Sequence, residues 1–285
     1  MLARYNPYYF DSQIQFEDQC HKYTVEGVPV KISVTGLISQ QLNERFDPDN
    51  VIKKNLSKWR SNTSSKYYDT IHGLKDDDAA VAIKALWSQS ASQGTRMHAI
   101  LESYLNEEEI DPVDAEEFKI ELKQFKALQK KYFYHLRILR TELRLYGKNA
   151  TGEPVIAGSI DLLARNEISG KLVLLDFKRT NHSLLSEEPS YGKTIGAFPA
   201  FPANDHYKYS IQLHIYKQLF ERLCPDEVVE TCFLIQMHPL LETGKVVRCA
   251  WMSEKAKSML ENLGVQTTPA CQKRRRNANE EYTSS

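Results

Sequence analysis

The segment from Leu172 to Thr180, LVLLDFKRT, decides the fold class of this chain. Its apolar start predicts a buried strand, and a charged pair follows at the end of that strand. Side chains two residues apart on a strand point to the same side, so Asp176 and Lys178 share one side and Phe177 faces the other. A carboxylate and an ammonium group are costly to desolvate in a half-buried sheet. The arrangement becomes favourable when the pair faces a metal ion and a phosphate.

The segments around this strand indicate an α/β protein. Apolar and β-branched runs predict strands, and periods near 3.6 predict helices. The predicted strands are Leu136–Tyr146, Pro154–Arg165, Lys171–Lys178, Glu227–Met237 and Lys245–Trp251, and the helices after the third strand are Asp205–Leu223 and Ser253 to about Leu263. We therefore predict a mixed sheet in αβββαβ order, flanked by helices on both sides.

The chain before this core is predicted to be mostly helical and to carry a β-hairpin. Its predicted elements are a hairpin over residues 13–35, a short helix through Gln41, a helix capped by Asp47 with Pro48 first, and further helix to residue 87 with breaks near Asn62–Ser65 and at Gly73. The small residues of Ser88–Gly94 predict a break, so the next helix is expected from Arg96 to about Asn106 with Thr95 as its cap. A long helix is predicted over residues 115–134.

The overall composition is that of a globular protein and does not indicate a particular binding partner. The 285 residues carry 37 basic and 37 acidic side chains, so any surface that binds nucleic acid must be local. No apolar run has transmembrane length and the N-terminus shows no secretory signal, which favours an intracellular protein without a membrane partner. Its compartment stays open between the cytoplasm of a bacterium or phage-infected cell and a eukaryotic nucleus or mitochondrion. The five cysteines form no CxxC pair, so free thiols are expected and no iron–sulfur cluster.

Four charged strand residues and one helical histidine form a candidate catalytic set. They are His98, Glu142, Asp161, Asp176 and Lys178. Carboxylate oxygens and one imidazole suit Mg²⁺ or Mn²⁺, as one ion or two. Such an ion polarises a phosphoryl oxygen, and a lysine beside it orients or deprotonates water. The set therefore has what phosphodiester hydrolysis needs.

Several motifs in order resemble the PD-(D/E)XK nuclease superfamily, in particular its RecB-like exonuclease branch. Asp161 followed by Asp176-Phe177-Lys178 is similar to the D…(D/E)xK signature. The other similar motifs are Gly158-Ser159-Ile160-Asp161, Gly94–His98 with Glu102 beyond, and Gln212–Tyr216, and together they cover roughly residues 94–220. The superfamily often has proline before its first acid, where this chain has Ile160.

The resemblance implies a role for each matching residue. His98, Asp161, Asp176 and the backbone carbonyl of Phe177 would hold the metal, and Lys178 would position the attacking water. Glu142 matches an acidic position on the first core strand of some members. The resemblance also implies that Gln212 and Tyr216, one helical turn apart, face the site and contact phosphate or orient Lys178.

These expectations lead to a predicted function and three predicted regions. The regions are an N-terminal segment (1–92), a PD-(D/E)XK nuclease core (93–265) and a disordered basic tail (266–285). The expected activity is that of a metal-dependent deoxyribonuclease, an exonuclease acting on DNA ends or single strands in replication, recombination or repair. The alternatives are a structure- or site-specific endonuclease of a virus or mobile element, a hydrolase of RNA, and a catalytically silent nucleic-acid-binding assembly factor.

Other charged and aromatic residues are candidates for contact with nucleic acid. Lys119, Lys123, Lys126 and Lys130 form one stripe on the long helix, and Arg179 follows the catalytic strand. Such a stripe is usually a solvated helix face, and the nearby glutamates favour ordinary pairing along the helix. Tyr191, Phe198 and Phe201 lie in a long loop and are candidates for stacking on bases.

Overall fold

The computed structural model describes residues 1–42, 47–187 and 202–266. Its strands are β1 (Ile14–Glu17), β2 (Lys22–Val25), β3 (Val28–Pro29), β4 (Ile32–Ser33), β5 (Leu136–Lys148), β6 (Pro154–Asn166), β7 (Leu172–Arg179), β8 (Val229–Met237) and β9 (Lys245–Arg248). Its helices are α1 (Leu2–Tyr5), α2 (Val34–Leu42), α3 (Pro48–Ser61), α4 (Tyr68–Ile71), α5 (Asp76–Leu105), α6 (Pro112–Glu117), α7 (Lys119–Tyr132), α8 (Asp205–Leu223) and α9 (Ser253–Asn262). Residues 188–201 and 267–285 lie outside the description, and with them Tyr191, Phe198, Phe201 and the basic tail.

A six-stranded mixed sheet forms the centre of the fold, so the predicted α/β class is confirmed. Its order is β4-β6-β7-β8-β9, with β5 pairing to the other side of β6. The β4–β6 and β7–β8 pairs are parallel, and β5–β6, β6–β7 and β8–β9 are antiparallel. Strand β6 therefore shares one edge between two partners, β4 near Ile156 and β7 from Leu162 onward.

Helices cover both faces of this sheet, as predicted. Buried residues of α2, α8 and α9 pack on one face, with side chains such as Leu172 and Leu174. Buried residues of α5 and α7 pack on the other face, with Val173, Leu175 and Phe177. The alternation along β7 explains the two clusters, because successive strand side chains point to opposite faces.

Helix α5 runs unbroken through the segment where a break was predicted. Thr95 does not cap a helix; its hydroxyl donates to the carbonyl of Ala91 at 3.3 Å inside one. The residues at positions 88–92 are exposed, but both ends of the helix are anchored. Ile83 packs in a cluster with α3 and α4, while Met97 packs on the sheet. Tertiary anchoring outweighs the low helix propensity of serine and glycine between them.

The N-terminal hairpin also differs from the prediction, because its second half divides. β3 pairs with β2, but β4 leaves the hairpin and pairs with β6 of the main sheet. Val34, expected in the strand, begins α2, where the hydroxyl of Ser33 accepts the N–H of Gly36 at 3.0 Å. The capping of α3 by Asp47 is confirmed, with an Asn50 N–H bond of 3.1 Å. Strand β9 ends at Arg248, earlier than expected.

The predicted helix over residues 115–134 is two helices, α6 and α7, that meet at Phe118. Asp111 caps α6 by accepting the N–H of Val113 at 2.8 Å, and Pro112 begins it. Phe118 is fully buried at the junction. In the described ranges, none of the helices has both the length and the apolar character needed to cross a membrane.

Candidate metal centre

The candidate centre lies where β6 and β7 stop pairing. Their ladder ends at the pair Leu162–Leu175, and the next residues beyond it are Asp161 on β6 and Asp176 on β7. Beyond that point the N–H of Phe177 donates to Oδ2 of Asp161 at 2.7 Å. A side-chain carboxylate thus replaces the backbone acceptor that a continued ladder would supply. This bond fixes the Asp161 carboxylate against strand β7.

Helix α5 brings His98 to the same point. Its Nε2 lies 2.9 Å from the carbonyl oxygen of Phe177, and its Nδ1 lies 3.4 Å from Oδ2 of Asp161. A carbonyl only accepts, so Nε2 carries the hydrogen and Nδ1 keeps a lone pair whenever the ring is neutral. The ring of Phe177 faces the helical side, in edge contact with His98 and Phe125. The ring therefore packs in the core between the sheet and helices α5 and α7.

Glu142 completes the group from strand β5, in an unusual backbone conformation. Its φ is 43°, a left-handed value that is uncommon for a residue with a side chain. One carboxylate oxygen accepts the hydroxyl of Ser159 at 2.8 Å. Burial, followed by the charge of Asp161, raises the pKa of Glu142 to about 8. Backbone strain and a destabilised charge at one residue are features that cluster at functional sites.

Asp176 and Lys178 lie in contact on the other side of the strand from Phe177, as predicted. Asp176 is 1 % exposed, and Nζ of Lys178 lies 2.5 Å from its Oδ2. Burial raises the pKa of Asp176 to about 6, although Lys178 opposes the shift. Burial alone would lower the pKa of Lys178, but Asp176 and Asp161 together raise it. Without a metal, Lys178 is therefore a cation, and it packs 4.4 Å from the ring centre of Tyr209.

Gln212 and Tyr216 lie one turn apart on helix α8, and Tyr216 packs on the face of the sheet to which Asp176 points. The amide of Gln212 donates to the hydroxyl of Tyr216 at 3.2 Å. Burial and then the charge of Asp176 raise the pKa of Tyr216. The Tyr216 ring lies on Gly158, where an added Cβ would be 2.6 Å from Cε1 of the tyrosine. Glycine at this position of β6 is therefore what lets the tyrosine approach the acidic residues.

The donors suit a divalent cation with hard ligands. One ligand atom each from His98, Glu142 and Asp161 lies within 4.8 Å of the others. Oδ2 of Asp176 is buried and accepts no hydrogen bond of normal geometry, although Lys178 is in contact with it. Carboxylates forced together in this way repel each other, and a cation relieves the repulsion. His98, Glu142 and Asp161 thus fit Mg²⁺ or Mn²⁺. Asp176, the other expected carboxylate ligand, is not one of these three, but its charge acts on Glu142. The carbonyl oxygen of Phe177, which the resemblance implies as a further metal ligand, accepts a hydrogen bond from Nε2 of His98.

The residues expected to contact nucleic acid are not gathered at this centre. Lys119, Lys123, Lys126 and Lys130 are exposed on the outer side of α7. Lys119 is paired with Glu116, and Lys126 lies over the ring of Tyr104. Arg179 is largely buried, with Nε 2.8 Å from Glu121 and Nη1 3.0 Å from Gln93. It joins α5 and α7 to the end of β7, so its charge is already compensated.

Two residues near the centre were missed by the sequence analysis. Ser159 orients Glu142, and its position two residues before Asp161 was a usable signal because both lie in one motif. Tyr23 comes from the hairpin, and its pKa rises to about 12 through burial and the charge of Glu142. Nothing local in the hairpin sequence indicates this approach.

Comparisons with known proteins add little to the geometry. No family model matches the chain, and no curated protein sequence matches it. Among solved structures, one described as the crystal structure of SSO0001 is similar, with 16% sequence identity and a TM-score of 0.34. The match covers 82% of this chain and 74% of the other. A TM-score of this size carries no argument about function.

Proposed function

We propose that this protein is a metal-dependent nuclease that hydrolyses phosphodiester bonds. The observation that carries the proposal is the convergence of His98, Glu142 and Asp161 beside the Asp176–Lys178 pair. These residues come from α5 and three different strands, so their meeting reflects the tertiary fold. We propose further that the core is of the PD-(D/E)XK type, since the motifs that resemble that superfamily supply His98, Asp161, Asp176 and Lys178, and Glu142 matches an acidic position of some members.

Each residue has a task that its position supports. His98, Glu142, Asp161 and Asp176 would hold Mg²⁺ or Mn²⁺, which when bound stabilises charge on a phosphoryl oxygen. Lys178 holds a proton next to Asp176, so it donates hydrogen bonds to a water or a phosphate oxygen. Gln212 donates to the hydroxyl of Tyr216, whose own hydrogen would be available to a phosphate oxygen. The Asp161–Phe177 bond keeps the strand end in place while substrate binds.

DNA is the proposed substrate, with free ends or single strands preferred. The proposed cellular role is in replication, recombination or repair. An endonuclease, an enzyme of RNA and a silent nucleic-acid binder are the other outcomes that the following experiment distinguishes.

The test uses end-labelled single- and double-stranded DNA and RNA, with Mg²⁺, Mn²⁺ or a chelator. Cleavage should require a metal, and Lys178→Ala should reduce its rate by roughly 100-fold or more. Lys171→Ala is the matched control, because Lys171 is an exposed lysine just before the same strand. Resistance of circular DNA indicates exonuclease action, and its cleavage indicates an endonuclease. Equal rates for wild type and Lys178→Ala on every substrate would overturn the enzyme proposal.

A further inference from the structure

Arg144 is a basic residue beside the candidate centre with no role in the expected set. It lies on β5, two residues after Glu142, and pairs in register with Ser159 of β6. The hydroxyl of Ser159 is bonded to Glu142. Two residues along a strand span about 6.6 Å, so Arg144 begins within one nucleotide's reach of the acidic group.

Among the basic residues of β5 and β7, all of which the structure describes, Arg144 is the one without an ion pair. The other basic residues of β5 and β7 each form an ion pair, namely Arg137 with Glu167, Arg140 with Asp11, Lys148 with Glu26, Lys178 with Asp176 and Arg179 with Glu121. Arg144 is exposed and forms no ion pair with any residue that the structure describes. A single unpaired guanidinium next to an acidic group calls for an anionic ligand.

An aromatic ring of the N-terminal hairpin packs against the guanidinium group of Arg144. The Arg144 guanidinium carbon lies 6.0 Å from the ring centre of Phe16, and that ring packs 4.5 Å from Tyr23. Stacking on an aromatic ring leaves the donors at the edge of the guanidinium free. Burial raises the pKa of Tyr23 and of Glu102, and the charge of Arg144 opposes both shifts. Its field therefore reaches the hairpin on one side and α5 on the other.

We propose that Arg144 binds the backbone phosphate next to the one that is cleaved, with Phe16 as its platform. This inference rests on the proposed nuclease function. A polyanion approaching the metal-free centre meets the carboxylates of Glu102 and Asp161 and is repelled by them. An arginine at the hairpin edge attracts the neighbouring phosphate and sets which bond reaches the metal. Arg144 is thus a substrate-binding residue on the hairpin side of the centre. The lysines of α7, which were expected to contact nucleic acid, do not lie on that side.

The test measures binding of a fluorescent single-stranded DNA oligonucleotide by anisotropy across a series of salt concentrations. A chelator is present, so cleavage does not interfere. Arg144→Gln should weaken binding about tenfold and reduce the slope of log affinity against log salt by about 0.7, the value for one phosphate contact on a single strand. Arg144→Lys should keep most of the slope, because it keeps the charge. Arg137→Gln, on the same strand and distant from the centre, should change neither.

The outcomes separate this inference from the function on which it rests. If wild type binds and cleaves DNA but Arg144→Gln keeps the full salt slope, the inference fails and the nuclease proposal stands. If wild type neither binds nor cleaves any nucleic acid, the nuclease proposal fails. If the slope falls equally for Arg137→Gln, the effect is one of net charge, and the inference is overturned. Circular dichroism checks that Arg144→Gln is folded, and Arg144→Lys supplies the test if it is not.

Discussion

The carboxylate of Asp161 accepts the N–H of Phe177 at 2.7 Å, at the point where two strands of the sheet part. The same oxygen lies 3.4 Å from Nδ1 of His98. One carboxylate therefore ends the β6–β7 ladder and begins the candidate metal centre. Asp161 therefore contributes both to the stability of the strand end and to the candidate metal centre, and different substitutions of it should separate these two contributions.

Replacing Asp161 should affect stability and metal binding differently. Asp161→Asn keeps an oxygen that accepts the Phe177 N–H, whereas Asp161→Ala leaves that buried donor unpaired. We expect the alanine variant to be less stable than the asparagine variant by about 1–3 kcal/mol. Both should lose Mn²⁺ affinity, because both remove the charge. Urea denaturation in chelator measures the first effect and a Mn²⁺ titration the second. Equal stability of the two variants would contradict the structural role of this bond.

Removing the ionisable carboxylate of Glu142 should stabilise the metal-free protein. Its pKa is raised from 4.5 to about 8, so between these pH values the unfolded protein has lost a proton that the native protein keeps. Such a group makes stability fall as pH rises through this window. Glu142→Gln carries no proton to lose. Its gain over wild type should therefore grow from pH 5 to pH 8, to on the order of 1–3 kcal/mol.

The measurement is chemical denaturation of wild type and Glu142→Gln in chelator at several pH values. Glu153→Gln is a suitable control, because Glu153 is exposed and its pKa is lowered by Lys31. A constant difference between Glu142→Gln and wild type across pH would show that burial does not shift this carboxylate. Metal binding should fall in the same variant, so stability and metal affinity should move in opposite directions.

Gly158 should resist even the smallest side chain. A Cβ there would lie 2.6 Å from Cε1 of Tyr216 and 3.2 Å from Cγ2 of Val34. Both neighbours are buried, so Gly158→Ala should cost about 1–3 kcal/mol through overpacking. Tyr216→Leu removes the ring, and the double variant should therefore lose less stability than the sum of the two single variants. Thermal denaturation of the four proteins completes the cycle; strict additivity would place the tyrosine elsewhere.

The sequence was sufficient for the elements whose pattern is local. LVLLDFKRT alternates between two cores, and Asp176 and Lys178 meet as strand geometry requires. The family resemblance also implied that His98 and Asp161 would meet, and they do, although they are far apart in the chain. The structure also explains why the motif has glycine at position 158, because the ring of Tyr216 occupies the space that a Cβ of Gly158 would need.

The sequence was insufficient where distant segments decide the outcome. Glu121 resembles an ordinary helix glutamate, but it is 1 % exposed because Arg179 compensates it. Strand β4 joins the main sheet because β6 has an open edge at Ile156, which no local pattern reveals. Tyr23 reaches the centre only through the packing of the hairpin. Each of these depends on contacts between parts of the chain that have no common periodicity.

Gly94 gives the sharpest contrast between the prediction from sequence and the structure. It lies inside the unbroken α5, and an added Cβ would meet nothing within 4 Å. Glycine in a helix interior costs about 0.5–1 kcal/mol relative to alanine. Gly94→Ala should therefore raise the free energy of unfolding by about that amount, measured by urea denaturation.

Gly73 provides the matched control for this helix. It has equally open space for a Cβ, but it lies in the turn between α4 and α5. Gly73→Ala should gain less, because no helix propensity is at stake there. If Gly94→Ala gave no more than Gly73→Ala, or lost stability, the helix would break at Ser88–Gly94 after all. His98 would then be carried by a separate short helix, and its placement against Asp161 would no longer depend on the anchoring of α5 at Ile83.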